Sequence, residues 1–420
     1  MIEPMALTRS AGRLAGDTPT QLRVATAITV LCAVAVSIGG WYALDRRANA
    51  IDDAGAAAAQ LVRVQEVRVL VVQADSLAST AYLRGGQELA EQRRLYDGSI
   101  SAASGGLIDS AASAAGTDAA TLQRATSLLA RYVGLAEQAR ANNRQGFPVG
   151  AAYQRQARTV IEEVVVALRE VETNSRARVN DTVASGHRSS WLLLFTALVL
   201  VAAIVGGSVW LAQRFRRLVN VPLAIAGALT IVVLGVVVAR SAAAMTDADD
   251  AVIGPLAAAD LLAQGRAAGF DARSNEALTL IARGNGDAYE IEWQRSASAV
   301  EQSVDRACSR FSVGCDARNW FGSYRSAHDV VRTLDADGNW DAAVDASLGD
   351  AVGLPNARVE FEAFAAASDE ALQLESDRAA VGFATAGDSL GNLGWLTVVV
   401  GLIVAVLASA GYGQRVREYR

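Results

Sequence analysis

The residues best suited to bind a small ligand form a polar cluster in the first half of the chain. The cluster contains a phenol, two guanidinium groups and two amides: Tyr132, Arg140, Asn142, Asn143 and Arg144. A guanidinium group can hold a carboxylate through two parallel hydrogen bonds, and a hydroxyl or an amide can orient it. The same residues suit a hydrogen-bonded turn between helices, and tyrosine and arginine are also enriched where proteins dock. All three interpretations stay open.

Two further arginines, Arg84 and Arg283, each precede a glycine. Four residues that can bind or stack accompany them: Asn275, Glu276, Glu292 and Trp293. This second polar cluster could bind a ligand or a partner. The simpler interpretation is that each arginine pairs with the last carbonyl groups of its helix and with nearby acids, which is worth roughly a few tenths of a kcal/mol.

Groups for catalysis and for metal binding are scarce in the sequence. The two histidines, His187 and His328, lie outside any Cys/His or Glu-x-x-His arrangement that holds a metal ion. The glycine-rich run 283–286 lacks the preceding strand and the lysine of a nucleotide-binding loop, and the chain contains no lysine at all. We therefore expect no enzymatic activity, no metal site and no other cofactor.

Four apolar stretches of about 20 residues divide the chain, and an uncharged helix of that length can cross about 30 Å of hydrocarbon. These predicted spans are residues 24–43, 191–211, 219–238 and 393–412. Between them lie two large blocks, which we call block one (44–190) and block two (239–392). The remainder is short: an N-terminus of residues 1–23, a loop of residues 212–218 and a tail of residues 413–420.

Arginine is concentrated in the short segments rather than in the spans. Outside the two blocks stand nine arginines against three acidic residues. Positive charge that flanks spans marks the cytoplasmic side, although Arg46 and Arg47 at the start of block one oppose this assignment. We expect a multi-pass protein of the cell membrane with both termini and the short loop in the cytoplasm, and with both blocks outside. The cytoplasmic parts are too short for an output domain.

The chemistry of block two restricts its partners. Block two carries 12 arginines and 25 acidic residues, and this acidity argues against nucleic acid as a partner. Cys308 and Cys315 lie seven positions apart in the same block. Because the outer compartment is oxidising, we predict a disulfide between them.

The two blocks resemble each other in sequence, which indicates an internal duplication of a span–block–span unit. Residues 75–87 align with residues 274–286, and the offset then falls by seven. The matched pairs are Ala78 with Ala277, Thr80 with Thr279, Arg84 with Arg283, Gly85 with Gly284, Tyr132 with Tyr324, Arg140 with Arg332, and Gly146 with Gly338.

Apolar residues in both blocks recur at spacings of three and four, as in Val64, Val67 and Val71, which predicts helices packed lengthwise. Predicted breaks fall at 84–86, 115–118 and 142–148 in block one, and at 283–286, 308–315 and 335–338 in block two, with a further interruption near 353–355. The predicted fold is an all-α membrane protein. Four transmembrane helices carry two tandem extracytoplasmic up-and-down four-helix bundles.

Two stretches of the sequence resemble a known family. The runs YVGLAEQARANNRQGFPVGAAY (132–153) and SNEALTLIARGNGDAY (274–289) are similar to the corresponding stretches of the actinobacterial GlnX-type membrane proteins, and the span–block–span plan is similar over nearly the whole chain. The resemblance implies a relay of amino-acid availability. By this resemblance, an extracytoplasmic substrate-binding lipoprotein for glutamate, aspartate or glutamine would engage the membrane protein, which would then influence a soluble cytoplasmic Ser/Thr kinase. No ligand residue is assigned by this resemblance.

The function expected from these features is a non-enzymatic transmembrane signal relay. Its partners would be the lipoprotein, the kinase and the lipid bilayer, and a homodimer stays open. Two alternatives remain: a chemoreceptor-like sensor that binds its small molecule directly, and a structural membrane scaffold without a ligand.

Overall fold

The computed structural model describes residues 18–85, 88–188, 190–215 and 220–417, and within these ranges it contains helices and turns but no strand. The prediction of an all-helical protein is therefore confirmed. Five helices make up the first half: α1 (Thr18–Leu83), α2 (Ala90–Ala112), α3 (Asp118–Arg144), α4 (Val149–Arg188) and α5 (Ser190–Phe215). The second half contains α6 (Val221–Ala251), α7 (Ala257–Ile281), α8 (Asp287–Phe311), α9 (Cys315–Ala336), α10 (Trp340–Leu348), α11 (Ala357–Leu390) and α12 (Leu393–Arg417).

The helices end close to the predicted breaks, and the local reason is clearest at two glycines. Gly85 follows α1 with a φ of 61°, and Gly284 follows α7 with a φ of 85°. Glycine adopts this left-handed conformation without steric cost, so it is the usual residue just beyond a helix end. The segment between α10 and α11 contains the interruption predicted near residue 353.

The junction of α6 and α7 was not predicted. Residues Val252–Leu256 form one π-helical turn that contains Pro255. Proline has no N–H group, and its ring collides with the carbonyl group four residues earlier in an α-helix. π-helices occur mostly as such single turns inside α-helices. Here the π-helical turn joins α6 to α7 without a loop.

Three helical segments are long and apolar enough to cross a membrane: Thr20–Leu83, Val221–Ile281 and Ala357–Gln414. They contain or overlap the predicted spans 24–43, 219–238 and 393–412, and they indicate a multi-pass membrane protein. The fourth predicted span, residues 191–211, falls on α5, where many side chains lie outside the described part of the chain. That span stays a prediction.

The chain divides into two compact units. The first, which we call the span unit, takes in the described residues of Met1–Asp53, Thr182–Ala248 and Ala384–Arg420. The second, which we call the block unit, consists of Ala54–Asp181 and Asp249–Phe383. Most of block one and most of block two thus share one compact unit, whereas we had predicted two bundles in tandem.

Two apolar cores lie inside the block unit, and α1 contributes to both. Val64, Val67 and Val71 pack into the block-one core together with α2, α3 and α4. Val69 and Val72 pack instead into the block-two core, which also holds Trp293, Phe321, Phe361 and Phe364. The predicted valine spacing describes one face of α1, and a second apolar face of the same helix is buried against the other block.

Candidate functional site

The two blocks meet along α1 and α7 through a buried polar network, which we call the seam network. At its centre lies Asp75, whose side chain is fully buried. Asp75 Oδ2 accepts hydrogen bonds from Arg158 Nη1 at 2.9 Å and from Ser274 Oγ at 2.7 Å. Arg158 also pairs with Asp271, and Ser79 Oγ lies 3.1 Å from Ser274 Oγ. The network therefore ties α1 and α4 of block one to α7 of block two.

Charge compensation keeps Arg158 protonated in the seam network. Burial by itself lowers the pKa of Arg158, but the carboxylates of Asp271 and Asp75 outweigh burial and raise that pKa above its usual value. A second polar contact lies elsewhere along the same pair of helices, where Gln65 Nε2 donates to Asp260 Oδ1 at 2.6 Å and Arg176 pairs with Asp260. Removing one member of such a buried pair leaves an uncompensated charge, which is strongly destabilising.

Two clefts open beside α1 and α7, each lined by both blocks. The first, which we call the acid cleft, encloses about 310 Å³ between α1, α2, α7 and α11. The surface of this cleft is mostly apolar, and four of its lining residues are arginines. The lining consists of Gln73, Ser76, Leu77, Thr80, Arg84, Leu89, Glu91, Gln92, Leu95, Arg266, Phe270, Arg273, Leu348, Arg358, Phe361, Glu362, Ala365, Ala366 and Asp369. The second cleft encloses about 600 Å³ between α1, α4, α7 and α8 and is equally polar and apolar.

Arg84 and Arg283 have different partners in the structure. Arg84 lines the acid cleft and donates from Nη1 to Asp350 Oδ2 at 3.0 Å. The Arg283 guanidinium group instead lies over the Trp340 ring, 4.0 Å from the ring centroid, in a cation–π contact. Of these two arginines, Arg84 is the one that lines the acid cleft.

The predicted polar cluster of block one is split between the core and the end of α3. Tyr132 is fully buried, and its hydroxyl has no hydrogen-bond partner among the described residues. Asn142 Nδ2 donates to the Gln138 carbonyl at 2.8 Å, and Asn143 Nδ2 donates to the Tyr82 carbonyl at 2.8 Å. The two amides thus bind the backbone of α3 and α1.

Arg140 is held by two neighbouring acids and an aromatic ring. It pairs with Glu88 at 2.9 Å and with Glu137, and its guanidinium group lies 4.7 Å from the centroid of the Tyr96 ring. Arg140, Asn143 and Arg144 line a pocket of about 20 Å³. A space of that size holds about one water molecule, so the pocket is too small for an amino acid in this conformation.

Block two contains a buried ionic network that we did not predict. Glu276, fully buried, bonds to His328 Nδ1 at 2.8 Å, and it accepts from Tyr324 at 3.1 Å and from Ser347 at 2.7 Å. Burial raises the pKa of Glu276, but Arg273 and His328 outweigh burial and hold that pKa at about 2. The His328 ring stacks on Trp293 at 3.6 Å between centroids. The network lies in the core of block two. In the sequence, Glu276 and Trp293 were noted only as neighbours of Arg283, and His328 only as a lone histidine.

A disulfide joins Cys308 and Cys315, with a distance of 2.07 Å between the sulfur atoms. It closes the turn between α8 and α9. Among the described residues, no group of three or more His, Cys, Asp or Glu side chains could hold a metal ion.

Comparison with known proteins bears on block one. Residues 50–184 match the family model of an actinobacterial sensor domain. The match extends from within α1 into α4 and supports an actinobacterial sensor protein with a role in sensing or signalling. No curated protein and no solved structure gives a significant match to the chain.

Proposed function

We propose that this protein is a non-enzymatic transmembrane relay of the GlnX type, which reports extracellular glutamate, aspartate or glutamine to a cytoplasmic Ser/Thr kinase through an extracytoplasmic binding lipoprotein. The observation that carries the proposal is α1. This single helix of 66 residues contains a membrane-length apolar segment and also packs into both cores of the block unit. The helix is continuous in sequence from its apolar segment to the seam network, so a change of packing at the seam network can pass along it.

The relay works by a shift between two packings of α1 and α7. A partner that binds one packing better than the other changes the population of the two states. Helix shifts of about 1–2 Å are a common form of such a change. The seam network gives each packing a defined set of hydrogen bonds, so intermediate positions of the helices are disfavoured.

Four spans, cytoplasmic termini and an internal duplication belong to the same proposal. Asp75 and Ser274 are equivalent positions in the aligned blocks, and their side chains hydrogen-bond at 2.7 Å. Equivalent residues of two copies meet at a twofold axis, so this contact supports two related copies packed about such an axis. The ion pairs of Arg68 with Glu172 and of Arg266 with Asp369 support the same arrangement, because they join α1 to α4 and α7 to α11.

The relay is tested by crosslinking the full-length protein in intact cells, followed by mass spectrometry. We expect a lipoprotein crosslinked to the block unit, a Ser/Thr kinase near the short loop, and a glutamate-dependent change in phosphorylation of the kinase's substrates that is lost on deletion of the protein. An unchanged phosphorylation state after deletion would instead favour the scaffold without a ligand. The full-length protein in nanodiscs should retain the lipoprotein and bind free glutamate weakly or not at all.

The acid cleft specifically favours a second candidate function, a direct small-molecule sensor. Calorimetry of the full-length protein without lipoprotein separates this candidate from the relay. Heat of binding with glutamate, abolished in Arg84→Ala and Arg358→Ala, would favour direct sensing at the acid cleft. Absence of that heat with the lipoprotein interaction intact favours the relay.

A further inference from the structure

We infer that the acid cleft is a binding site for a small organic monocarboxylate with an apolar body, an inference that rests on the proposed sensing function and adds a ligand to it. The volume of about 310 Å³ lies at the lower end of the range of about 300–1,000 Å³ for small-molecule sites. Such sites are mostly apolar with a few convergent polar groups, and the acid cleft has this composition.

The apolar body of the ligand would lie against side chains of both blocks. Leu77 and Leu95 come from α1 and α2, and Phe270 and Phe361 come from α7 and α11. Phe270 and Phe361 already contact each other edge to face, with centroids 5.2 Å apart. The two rings therefore form a fixed wall, and a hydrocarbon or aromatic group placed against it is removed from water, which is favourable.

One polar atom just beyond α1 at this cleft is unsatisfied. Arg84 lines the cleft, and its Nε is buried without a hydrogen-bond partner among the described residues. A buried donor without a partner costs about 1–3 kcal/mol, so a carboxylate that accepts from Arg84 Nε would be stabilised by a group that nothing else uses.

Two arginines at the cleft have acidic partners that a ligand could replace. Arg84 pairs with Asp350, whose side chain is 49 % exposed, and Arg358 pairs with an exposed Glu362. An ion pair whose acid reaches water contributes little, about 0–1 kcal/mol. Either arginine can therefore exchange its present partner for a ligand carboxylate at little cost.

Ligand binding at this place would couple the two blocks. Arg84 follows α1 in block one, and Arg358 lies on α11 in block two, so a carboxylate between them joins both sides of the cleft. A ligand that binds only when Arg84 and Arg358 face each other across the cleft stabilises that arrangement of the two blocks by mass action. The ligand would thus bias the packing of α1 against α7 on which the proposed relay depends.

The test uses the full-length protein in nanodiscs, with phenylacetate and hexanoate as probes and phenylacetamide as the uncharged control. Calorimetry and saturation-transfer NMR measure binding, and empty nanodiscs correct for partitioning into lipid. We expect both acids to bind at least tenfold more tightly than the amide. Arg84→Gln should lower the affinity at least tenfold, and Leu95→Asp should abolish binding. Arg124→Gln, at an exposed arginine of α3 whose partner Glu170 also lies outside the cleft, should leave the affinity unchanged.

Equal binding of acid and amide, or an unchanged affinity in Arg84→Gln, would overturn the inference, as would no binding of either acid at about 10 mM. These results leave the relay proposal standing, because its crosslinking experiment does not use the acid cleft. Conversely, binding of the acids with the expected variant pattern supports the site even if the kinase does not respond, and in that case the relay alone fails.

Discussion

At the scale of single residues, the buried tyrosines of the two blocks differ in how they are satisfied. Tyr132 and Tyr324 are aligned positions, and both side chains are fully buried. The Tyr324 hydroxyl donates to Glu276 and accepts from Trp293 Nε1 at 3.4 Å, whereas the Tyr132 hydroxyl has no partner among the described residues. Burial raises the pKa of both hydroxyl groups, and the charges of Asp75 and Glu276, respectively, add to the effect. Both hydroxyls therefore stay neutral, but only one of them contributes a hydrogen bond.

This difference predicts unequal losses of stability for two matched substitutions. Tyr324→Phe should lower the free energy of unfolding by about 1.5–3 kcal/mol, because it removes a hydrogen bond to a charged carboxylate. Tyr132→Phe should change that free energy by less than about 0.5 kcal/mol, because no bond is lost. Denaturation of the purified protein in one detergent, followed by tryptophan fluorescence, measures both. A loss in Tyr132→Phe as large as that in Tyr324→Phe would contradict the assignment.

The histidine of block two predicts a pH dependence of stability. Burial lowers the pKa of His328, but its bonds to Glu276 and Glu290 outweigh burial and raise that pKa above 6.5. A raised pKa in the folded state stabilises the protein below pH 6.5, and this contribution is lost as the pH rises through the folded-state pKa. Glu276 works in the opposite direction: its contribution is present above pH 4.5 and is lost as the pH falls towards about 2. The two contributions together are largest between about pH 4.5 and 6.5.

His328→Gln removes the titrating group and keeps two hydrogen-bonding atoms. We expect the stability difference between the wild type and this variant to be largest near pH 6 and to shrink as the pH is raised towards 9. Thermal denaturation of both proteins across that range measures the difference. A difference that is constant with pH would show that His328 does not bind an additional proton in the folded state.

At the scale of elements, close packing of α2 on α1 depends on one of two adjacent glycines. A Cβ atom added at Gly106 would lie 2.5 Å from Val67 Cγ2, whereas a Cβ added at Gly105 would meet nothing within 4 Å. Val67 is buried, and its β-branched side chain has few alternative rotamers. The helix therefore tolerates a methyl group on one side and excludes it on the other.

Alanine at each position tests this packing with the same chemical change. Gly105→Ala should raise the free energy of unfolding by up to about 1 kcal/mol, because alanine favours a helix over glycine. Gly106→Ala should lower it by about 1–3 kcal/mol, because the added methyl group overpacks the contact with Val67. Chemical denaturation of the two variants beside the wild type gives both values. Equal effects of the two substitutions would mean that α2 does not pack on Val67 as described.

At the scale of the whole molecule, the two blocks form one unit because α1 has two buried faces. Its valines enter both cores, and Asp75 lies at the contact with α7. Both clefts are lined by the two blocks, so a ligand at either cleft would touch both of them. This arrangement agrees with the match of residues 50–184 to a sensor domain, since block one supplies α1 and α4 to the contact.

Membrane topology gives a prediction at the same scale. Three single substitutions are made in a Cys32→Ser background. They are Ala120→Cys in block one, Ser323→Cys in block two and Gln213→Cys in the short loop. A membrane-impermeant maleimide applied to intact cells should label the first two and spare the third, because arginine-rich segments that flank spans favour the cytoplasmic side. Permeabilised cells should show labelling of all three.

The outcome that contradicts the proposed orientation is protection of Ala120→Cys or Ser323→Cys in intact cells. It would place a block in the cytoplasm and remove the relay proposal. Labelling of Gln213→Cys before permeabilisation would contradict the four-span arrangement instead.

The sequence by itself determined the features that depend on neighbouring residues. Helix ends follow from local signals, as at Gly85 and Gly284, where only a residue without a side chain adopts the left-handed conformation freely. The membrane-length segments follow from uninterrupted apolar composition, and the α1 face towards block one follows from the spacing of Val64, Val67 and Val71. Arg84 directly follows the end of α1, as its place before Gly85 indicated, and it lines the acid cleft. Its role as a binding residue stays a prediction.

The tertiary structure alone decided which polar groups meet. Asp75 and Ser274 lie 199 positions apart, and nothing in their local sequence distinguishes them from solvent-exposed residues on a helix. Tyr132 was one of several candidate residues for a ligand, a turn or a docking partner, but packing of α3 buries its hydroxyl. Glu276 and His328 come together only because α7 and α9 share one core. Such contacts between distant residues depend on how helices fit in three dimensions, which a one-dimensional pattern does not encode. The second buried face of α1 is the clearest case, because its valines lie beside a block that begins about 170 residues later.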